Sequence, residues 1–494
     1  MLSYSEVLEL SGNYNVVPLT KRLFASTETP LGVYQKLCGT RPNTFLLESA
    51  EQGVWGRYSF IGVASRGQLV AQDSKASFAG GSALPNAQIL PEDPLVALET
   101  LQQAWRSAPS DVPLISGLVG FVSWGAVNLI ESLPESGPRD YEVPLLAFNQ
   151  FSELVVMDHK SSELLLVSVI FVDGSDLRNS YDAAVLNLER LEAQLRAPTA
   201  SMISEPNWPA PEFTKRTEPE SFLQQVEKAK EHVRKGDVFQ VVISQRFDQK
   251  IESDAVDVYR AMRAINPSPY MYLTRWQDEA GEFSIVGSSP EALVKVAGRQ
   301  AITHPIAGSR PRSSDTAKDI ALAEELLADA KEQSEHLMLV DLARNDLLKV
   351  CNPSSLRVTE FMQVHRFSHV MHLVSTVEGE LREGFGPVAA LRATFPAGTL
   401  SGAPKPRALE IIHDLEPSYR GIFGGVVGYF DFEGNADLAI AIRTALIRDG
   451  VARIQAGAGI VLDSIPASEY AETEAKAAVV LRAVAAADGM RNAK

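Results

Sequence analysis

Two runs of the chain leave little choice of backbone environment, GLVGFVSWG (Gly117–Gly125) and GGVVGYFDF (Gly424–Phe432). Each mixes large apolar residues with glycine, as in a buried strand that another backbone approaches closely. They echo one another across the two halves of the chain, which chance and a distant duplication explain equally well. Further strand-like stretches surround them. NTFLLESAEQGVWGRYSFIG (Asn43–Gly62) reads as two strands about a turn, and Leu146–Phe171 as a meander turning at Asp158–Ser162. Amphipathic helices are expected at Asp182–Arg196 and Pro219–Lys235. Strands dominate both halves and helices come in blocks, so the expected class is α+β.

A chain of 494 residues with 45% hydrophobic and 22% charged residues has ample material for a core, in one large domain or two or three smaller ones. The net charge of −16, without a long basic run, argues against nucleic acid or an anionic membrane as partner. An anionic substrate would therefore have to meet local positive charge. Two cysteines, Cys38 and Cys351, make neither a disulfide framework nor a thiolate metal site. With no leader-like start and no membrane-spanning run, the expected location is the cytoplasm. The Pro-rich stretch between Pro198 and Pro219 marks the main expected boundary, as a linker or surface crossing.

The chemistry-bearing pattern lies in KEQSEHLMLVDLARND (Lys331–Asp346), which follows an expected helical run at Thr316–Lys331. Glu332 and Glu335 stand three apart and share a helix face. Near the C-terminus, Glu469 and Glu472 repeat the spacing, with Lys476 one turn beyond. Taken singly, each pair reads as a solvated helix face. If the fold joins the pairs, four carboxylates face one cavity and suit a hard cation, Mg²⁺ before Zn²⁺.

His365, His369 and His372 have zinc-like spacing only on a helix, and the β-branched pattern around them favours a strand, where His369 and His372 diverge. FPAGTLSGAPK (Phe395–Lys405) is either an anion-binding loop or a plain helix entry, and it lacks nucleotide-loop spacing. Arg443 is alone in an expected apolar strand, and a buried guanidinium calls for a carboxylate or phosphate partner.

In chain order, GDVFQVVISQR, NPSPYMYL, SSPEALV, PIAGSR, EHLMLVDLARND, HVMHLVSTV, FPAGTLSGAPKPRALEII, RGIFGGVVGY, AIRT, QAGAGIV and EYAETEAKA resemble the chorismate-utilising enzymes, most closely the large subunits of anthranilate synthases. The strong part runs from Gly236 to Lys476; the N-terminal half matches mainly through LLES and GLVGFVSWG. The resemblance implies antiparallel sheets packed as a sandwich with helices outside. It divides the chain into an N-terminal region (1–200), the Pro-rich crossing (201–218) and a chorismate-binding region (219–494). It further implies Mg²⁺ held by Glu335 and Glu472, supported by Glu332 and Glu469. Arg443, Gly457, Gly459, Thr399 and Lys476 would bind substrate, with Glu291 as general acid and His372 acting in the elimination.

Two positions discriminate within the family. Water-adding relatives carry a lysine base where this chain has Gln240, and ammonia needs no such base. Aminodeoxychorismate synthases typically carry a nucleophilic lysine where this chain has Ala307. Both favour direct attack of ammonia on the ring, giving anthranilate and pyruvate. The alternatives are a 4-amino-4-deoxychorismate synthase and a non-catalytic tryptophan-binding regulator. Phe423 replaces the family's usual tyrosine and so removes one hydroxyl contact to substrate. LLES (Leu46–Ser49) with NPSPYM (Asn266–Met271) resembles a feedback site for L-tryptophan. There Leu47, Glu48, Ser49, Pro269, Tyr270 and Met271 would line the pocket, with Glu48 or Ser49 meeting the ligand's ammonium. No segment resembles a glutaminase, so ammonia is expected from a separate glutamine amidotransferase subunit (component II), in a heterotetramer.

Overall fold

The computed structural model describes the chain except for residues 26, 51–55, 86–87, 134–138, 200–202, 206, 367–369 and 493–494. One antiparallel ladder carries the fold. It begins with Gln240–Lys250 and passes through Val451–Ile460, Thr444–Arg448, Gly281–Ser289 and Tyr270–Asp278. It crosses into the N-terminal half through Thr44–Glu48, Tyr58–Ala71, Leu146–Asp158 and Gly117–Val122. It returns through Val426–Asp431, Ala436–Ile440, Ala292–Ala297, Gln300–Thr303 and Val370–Glu380. Strands before and after the Pro-rich stretch thus belong to one sheet system. The ladder folds back on itself, because Val241, Ile243 and Ala458 from its start share a core with Val294, Val377 and Val426 from its far end. Helices cover the outside, with a second core beneath Leu177–Arg196, Ala255–Ile265 and the C-terminal helix.

The two glycine-rich runs turn out to be partners. Gly117–Val122 pairs with Val426–Asp431, and Gly120 lies opposite Gly428. A Cβ on Gly120 would stand 2.0 Å from the Ala147 carbonyl oxygen, and one on Gly428 2.1 Å from that of Asp437. Neighbouring backbones occupy the space a side chain would need, which accounts for glycine at both positions.

Two expectations need correction. The helical run expected at Thr316–Lys331 is two helices, Thr316–Ala328 and Ala330–Leu348. Asp329 divides them in extended backbone, its carboxylate capping the second helix through the Lys331 and Glu332 N–H groups while Arg310 holds its other oxygen at 2.8 Å. Arg443 is not within a strand: it sits between Ala436–Ile440 and Thr444–Arg448, with φ of +49°. A left-handed backbone at a large residue is costly, and such positions cluster where a side chain must be aimed.

Candidate active site

Helix Ala330–Leu348 and helix Pro466–Asn492 bring the two carboxylate pairs into one electrostatic neighbourhood. Burial raises the Glu335 carboxyl above its ordinary range; Glu332 and Glu472 raise it further, against the lowering influence of Lys331 and Lys476. Burial likewise raises Glu469, with Glu472 adding to it. Lys476 pairs with Glu472 at 2.6 Å and donates to the Gly457 carbonyl at 3.0 Å. Arg310 stands 3.6 Å from Glu332. Negative charge is therefore concentrated beyond what these cations offset. Among the described residues no three His, Cys, Asp or Glu side chains form a closed metal cage. The donor set still fits a hard divalent ion that takes one or two carboxylates and completes its shell with water and substrate oxygens.

The strand Ile306–Pro311 bulges between Ala307 and Arg310, and Gly308 there has φ of +65°. A Cβ on Gly308 would approach Glu332 Oε2 to 2.9 Å, and the Gly308 carbonyl lies 2.7 Å from His372 Nδ1. A carbonyl only accepts, so Nδ1 carries the proton and Nε2 keeps its lone pair. Burial lowers the His372 pKa, outweighing the Gly308 bond, and Arg443 lowers it further. The imidazole is thus a neutral base beside a cation. His365 is the cross-strand partner of His372, and His369 lies outside the described residues.

Burial also lowers the Arg443 pKa. Its Nη1 donates to Asn266 Oδ1 at 3.4 Å, and no ion pair joins it to a carboxylate among the described residues. Asn266 is locked by a 2.6 Å bond to Ser288 Oγ, while the Ser288 N–H donates to the Arg443 carbonyl. Sequence reading overlooked Asn266 and Gly308 as supports, although both lie in motifs it quoted. Their roles depend on partners far along the chain.

Glu291 follows strand Gly281–Ser289, and its backbone carbonyl accepts from Ile440. Burial pushes its carboxyl up to about 7, against the lowering effects of Thr399, which donates at 3.1 Å, and of Lys476. Gln240 is buried with no partner for Oε1 among the described residues, and its amide lies where a Cβ on Gly459 would be, 2.2 Å away. Ala307 is buried in the bulged strand. Phe423 is buried in the main core with Arg420 over its ring.

The LLES and NPSPYM segments are adjacent, with Glu48 opposite Met271 and Leu47 opposite Tyr272 in antiparallel register. The buried Glu48 carboxylate is already engaged, by Arg263 at 2.7 Å and by the Tyr259 hydroxyl. Ser49 Oγ is buried without a partner among the described residues. Tyr270 donates to Asp437 at 3.0 Å, and Pro269 is half-buried beside it.

A model of the chorismate binding enzyme family matches residues 42–482. Anthranilate synthase component 1 of Arthrobacter globiformis is 48% identical over 499 residues, spanning 99% of this chain and 93% of the relative. The protein of that name from Pseudomonas putida is 41% identical over 499 residues, spanning 99% of each chain. Among solved structures, anthranilate synthase component I from Streptococcus pneumoniae TIGR4 superposes with a TM-score of 0.78 at 33% identity, covering 93% of this chain and 99% of that one. The menaquinone-specific isochorismate synthase of Escherichia coli shares the fold, with a TM-score of 0.71 at 19% identity over 97% of this chain and 98% of that one.

Proposed function

The chain belongs to the chorismate binding enzyme family, and from that premise we propose that it is the large subunit of an anthranilate synthase, converting chorismate and ammonia to anthranilate and pyruvate. The observation that carries this reading is Arg443, a half-buried guanidinium with no ion-pair partner among the described residues, held beside a neutral histidine. Burying such a charge is costly unless a partner arrives, and a substrate carboxylate is the partner its fork fits.

Arg443 holds the enolpyruvyl carboxylate, with the backbone at Gly457 and Gly459 forming the wall beside it. Glu335 and Glu472 would hold Mg²⁺, with Glu332 and Glu469 in support, and the ion would supply positive charge for the ring carboxylate. Glu291 is half protonated near neutral pH and gives its proton to the 4-hydroxyl as the C4–O bond breaks, so that water leaves. The ammonia lone pair forms the bond to C2 as the ring double bonds shift, and the C2 ammonium so formed gives up one proton, which the emptied Glu291 carboxylate or water accepts. The unpartnered Gln240 Oε1 offers ammonia an acceptor, and Ala307 provides no competing nucleophile. His372 Nε2 then removes the C2 proton, the C3–O bond breaks as the ring becomes aromatic, and the departing enolate takes up one proton at its methylene carbon to give pyruvate, so that the proton held by His372 is balanced.

Ammonia comes from a separate glutamine amidotransferase subunit. Both cysteines are buried, and burial raises their thiols to about 12 at Cys38 and about 11 at Cys351, so neither serves as a glutaminase nucleophile. L-Tryptophan binds between LLES and NPSPYM as a feedback inhibitor. Because Glu48 is already engaged, the ligand's ammonium is assigned to Ser49 Oγ and nearby carbonyls. No described helix is long and apolar enough to cross a membrane, and the cytoplasm is the proposed location.

Incubation with chorismate, Mg²⁺ and ammonium chloride at mildly alkaline pH should give fluorescent anthranilate and equimolar pyruvate. An aminated product without pyruvate would instead indicate an aminodeoxychorismate synthase. His372→Ala should accumulate the aminated intermediate and lose at least 100-fold in anthranilate formation. Normal anthranilate output from that variant would remove His372 from the mechanism.

A further inference from the structure

We propose that Arg420, fixed by Glu416, is a positioning residue that sets the Thr399 loop against the strand carrying Gln240; the inference rests on the roles given to Thr399 and Gln240 in the reaction above. Strand Gln240–Lys250 pairs along one edge with Val451–Ile460. Among the described residues its other edge meets backbone strands only towards its ends. Gly402–Ala403 pairs there with Val241 and Gln240, and Thr214–Lys215 with Asp248 and Phe247. In the gap between them, side chains take the place of a strand. The Ser244 N–H donates to Glu416 Oε1 at 2.6 Å, and the Val242 carbonyl accepts from Arg420 Nη2 at 2.9 Å. Buried backbone groups must find partners, and here one ion pair supplies both.

The pair lies almost wholly out of water, with the Arg420 and Glu416 side chains 2% and 4% exposed. It is bidentate: Nε donates to Glu416 Oε2 at 2.7 Å and Nη2 to Oε1 at 2.6 Å. The remaining fork nitrogen, Nη1, donates to the Leu400 carbonyl at 2.8 Å. Leu400 follows Thr399, whose hydroxyl donates to Glu291. One guanidinium thus joins its own carboxylate, the strand that starts at Gln240 and the loop that presents Thr399. Trp124 backs it, with its ring 4.1 Å from the guanidinium carbon. Glu416 ends helix Lys405–Leu415, into which the Thr399 loop itself leads. The chain therefore leaves the loop, runs through one helix and returns to clasp it.

Desolvation offsets much of what a buried ion pair gains, so stability alone is a weak reason for placing one here. A planar fork, by contrast, fixes the directions of several bonds at once. The molecule holds its own comparison in Arg448, which is as deeply buried as Arg420. Arg448 bonds to Asp278 at 2.5 Å and to the Glu142 carbonyl at 2.7 Å, and so holds neither the Thr399 loop nor the Gln240 strand.

Arg420→Lys keeps the charge but loses the fork. Glu416→Gln keeps an acceptor for Ser244 but weakens the hold on Arg420, and Arg448→Lys is the matched control. With chorismate, Mg²⁺ and ammonium chloride, both clasp variants should raise KM for chorismate and for ammonium about tenfold each, the effect of one misplaced hydrogen bond at Thr399 and one at Gln240. Partial unfolding lowers the number of working sites, and with it kcat, but leaves KM where it was. Arg448→Lys should accordingly keep both KM values within about twofold of the parent even if its Tm falls. Parent KM values in either clasp variant overturn the proposal, and so do equal shifts in Arg448→Lys. Should Arg420→Lys fail to fold, Glu416→Gln decides alone. Parent enzyme that forms no anthranilate defeats the functional reading instead; the weaker chorismate binding expected of the clasp variants, measured by calorimetry, then still tests the clasp.

Discussion

The proposed catalytic cleft and the LLES–NPSPYM segment each take charge at least partly out of water, but they treat it oppositely. In the cleft, Arg443 has no carboxylate partner among the described residues, and Glu335 and Glu469 are raised by burial and by each other's neighbours. In the second region, Glu48 is closed off by Arg263 and Tyr259 before any ligand arrives. Charge left uncompensated at a cost in folding implies a ligand that supplies the missing half, whereas compensated charge belongs to the scaffold. The contrast also separates Ser49, unpartnered, from its neighbour Glu48.

The largest effect expected is at Glu291. Glu291→Gln should lower anthranilate formation about 10³-fold. In the parent, the rate constant dependent on this acid should fall as pH rises through about 7, where the carboxyl loses its proton. Stability has a defined sign. The native carboxyl holds its proton more tightly than the unfolded one, so its contribution is complete below the ordinary value of 4.5 and is lost as pH rises to about 7. Glu291→Gln should therefore match the parent's stability at pH 4 and exceed it by on the order of 3 kcal/mol at pH 8, measured by denaturant titration. A variant less stable than the parent at pH 8 would contradict the burial argument.

Arg443→Leu tests the uncompensated side directly. It should reduce kcat/KM for chorismate about 100-fold or more while leaving Tm unchanged or higher, because no protein carboxylate loses a partner. A large fall in Tm would mean that the guanidinium is structural after all. On the compensated side the pattern should invert. Glu48→Gln should cost about 2 kcal/mol of stability through weakened bonds to Arg263 and Tyr259, with turnover within about twofold of the parent. Ser49→Ala should leave stability and turnover alone and raise the tryptophan concentration needed for half-inhibition about tenfold. If Glu48→Gln instead abolished inhibition with no stability change, the two regions would not differ as described.

Element type was legible wherever periodicity was strong: helix Pro219–Lys235 has the limits its pattern gives, and Val370–Glu380 is the strand its β-branched residues predict. Asp329 was misread because alanine and leucine spacing continues through it, while its carboxylate makes a better cap than an interior helical residue. Arg443 was misplaced for a related reason. Apolar neighbours on both sides suggest a continuous strand, and only the left-handed φ, stabilised by the Ser288 and Asn266 contacts, shows that the chain turns there.

The sequence by itself determined the chemical types available: two carboxylate pairs at helical spacing, a lone arginine among apolar residues, glycines in apolar runs, and motifs in a recognisable order. Those are local properties, set by periodicity and side-chain chemistry within a few residues. The tertiary structure decided which of them meet. It placed Gly120 against Gly428, set the Gly308 carbonyl to fix the His372 tautomer, and engaged Glu48. Burial and long-range pairing, which shift acidity and leave a charge compensated or exposed to a ligand, exist only once strands distant in sequence lie side by side.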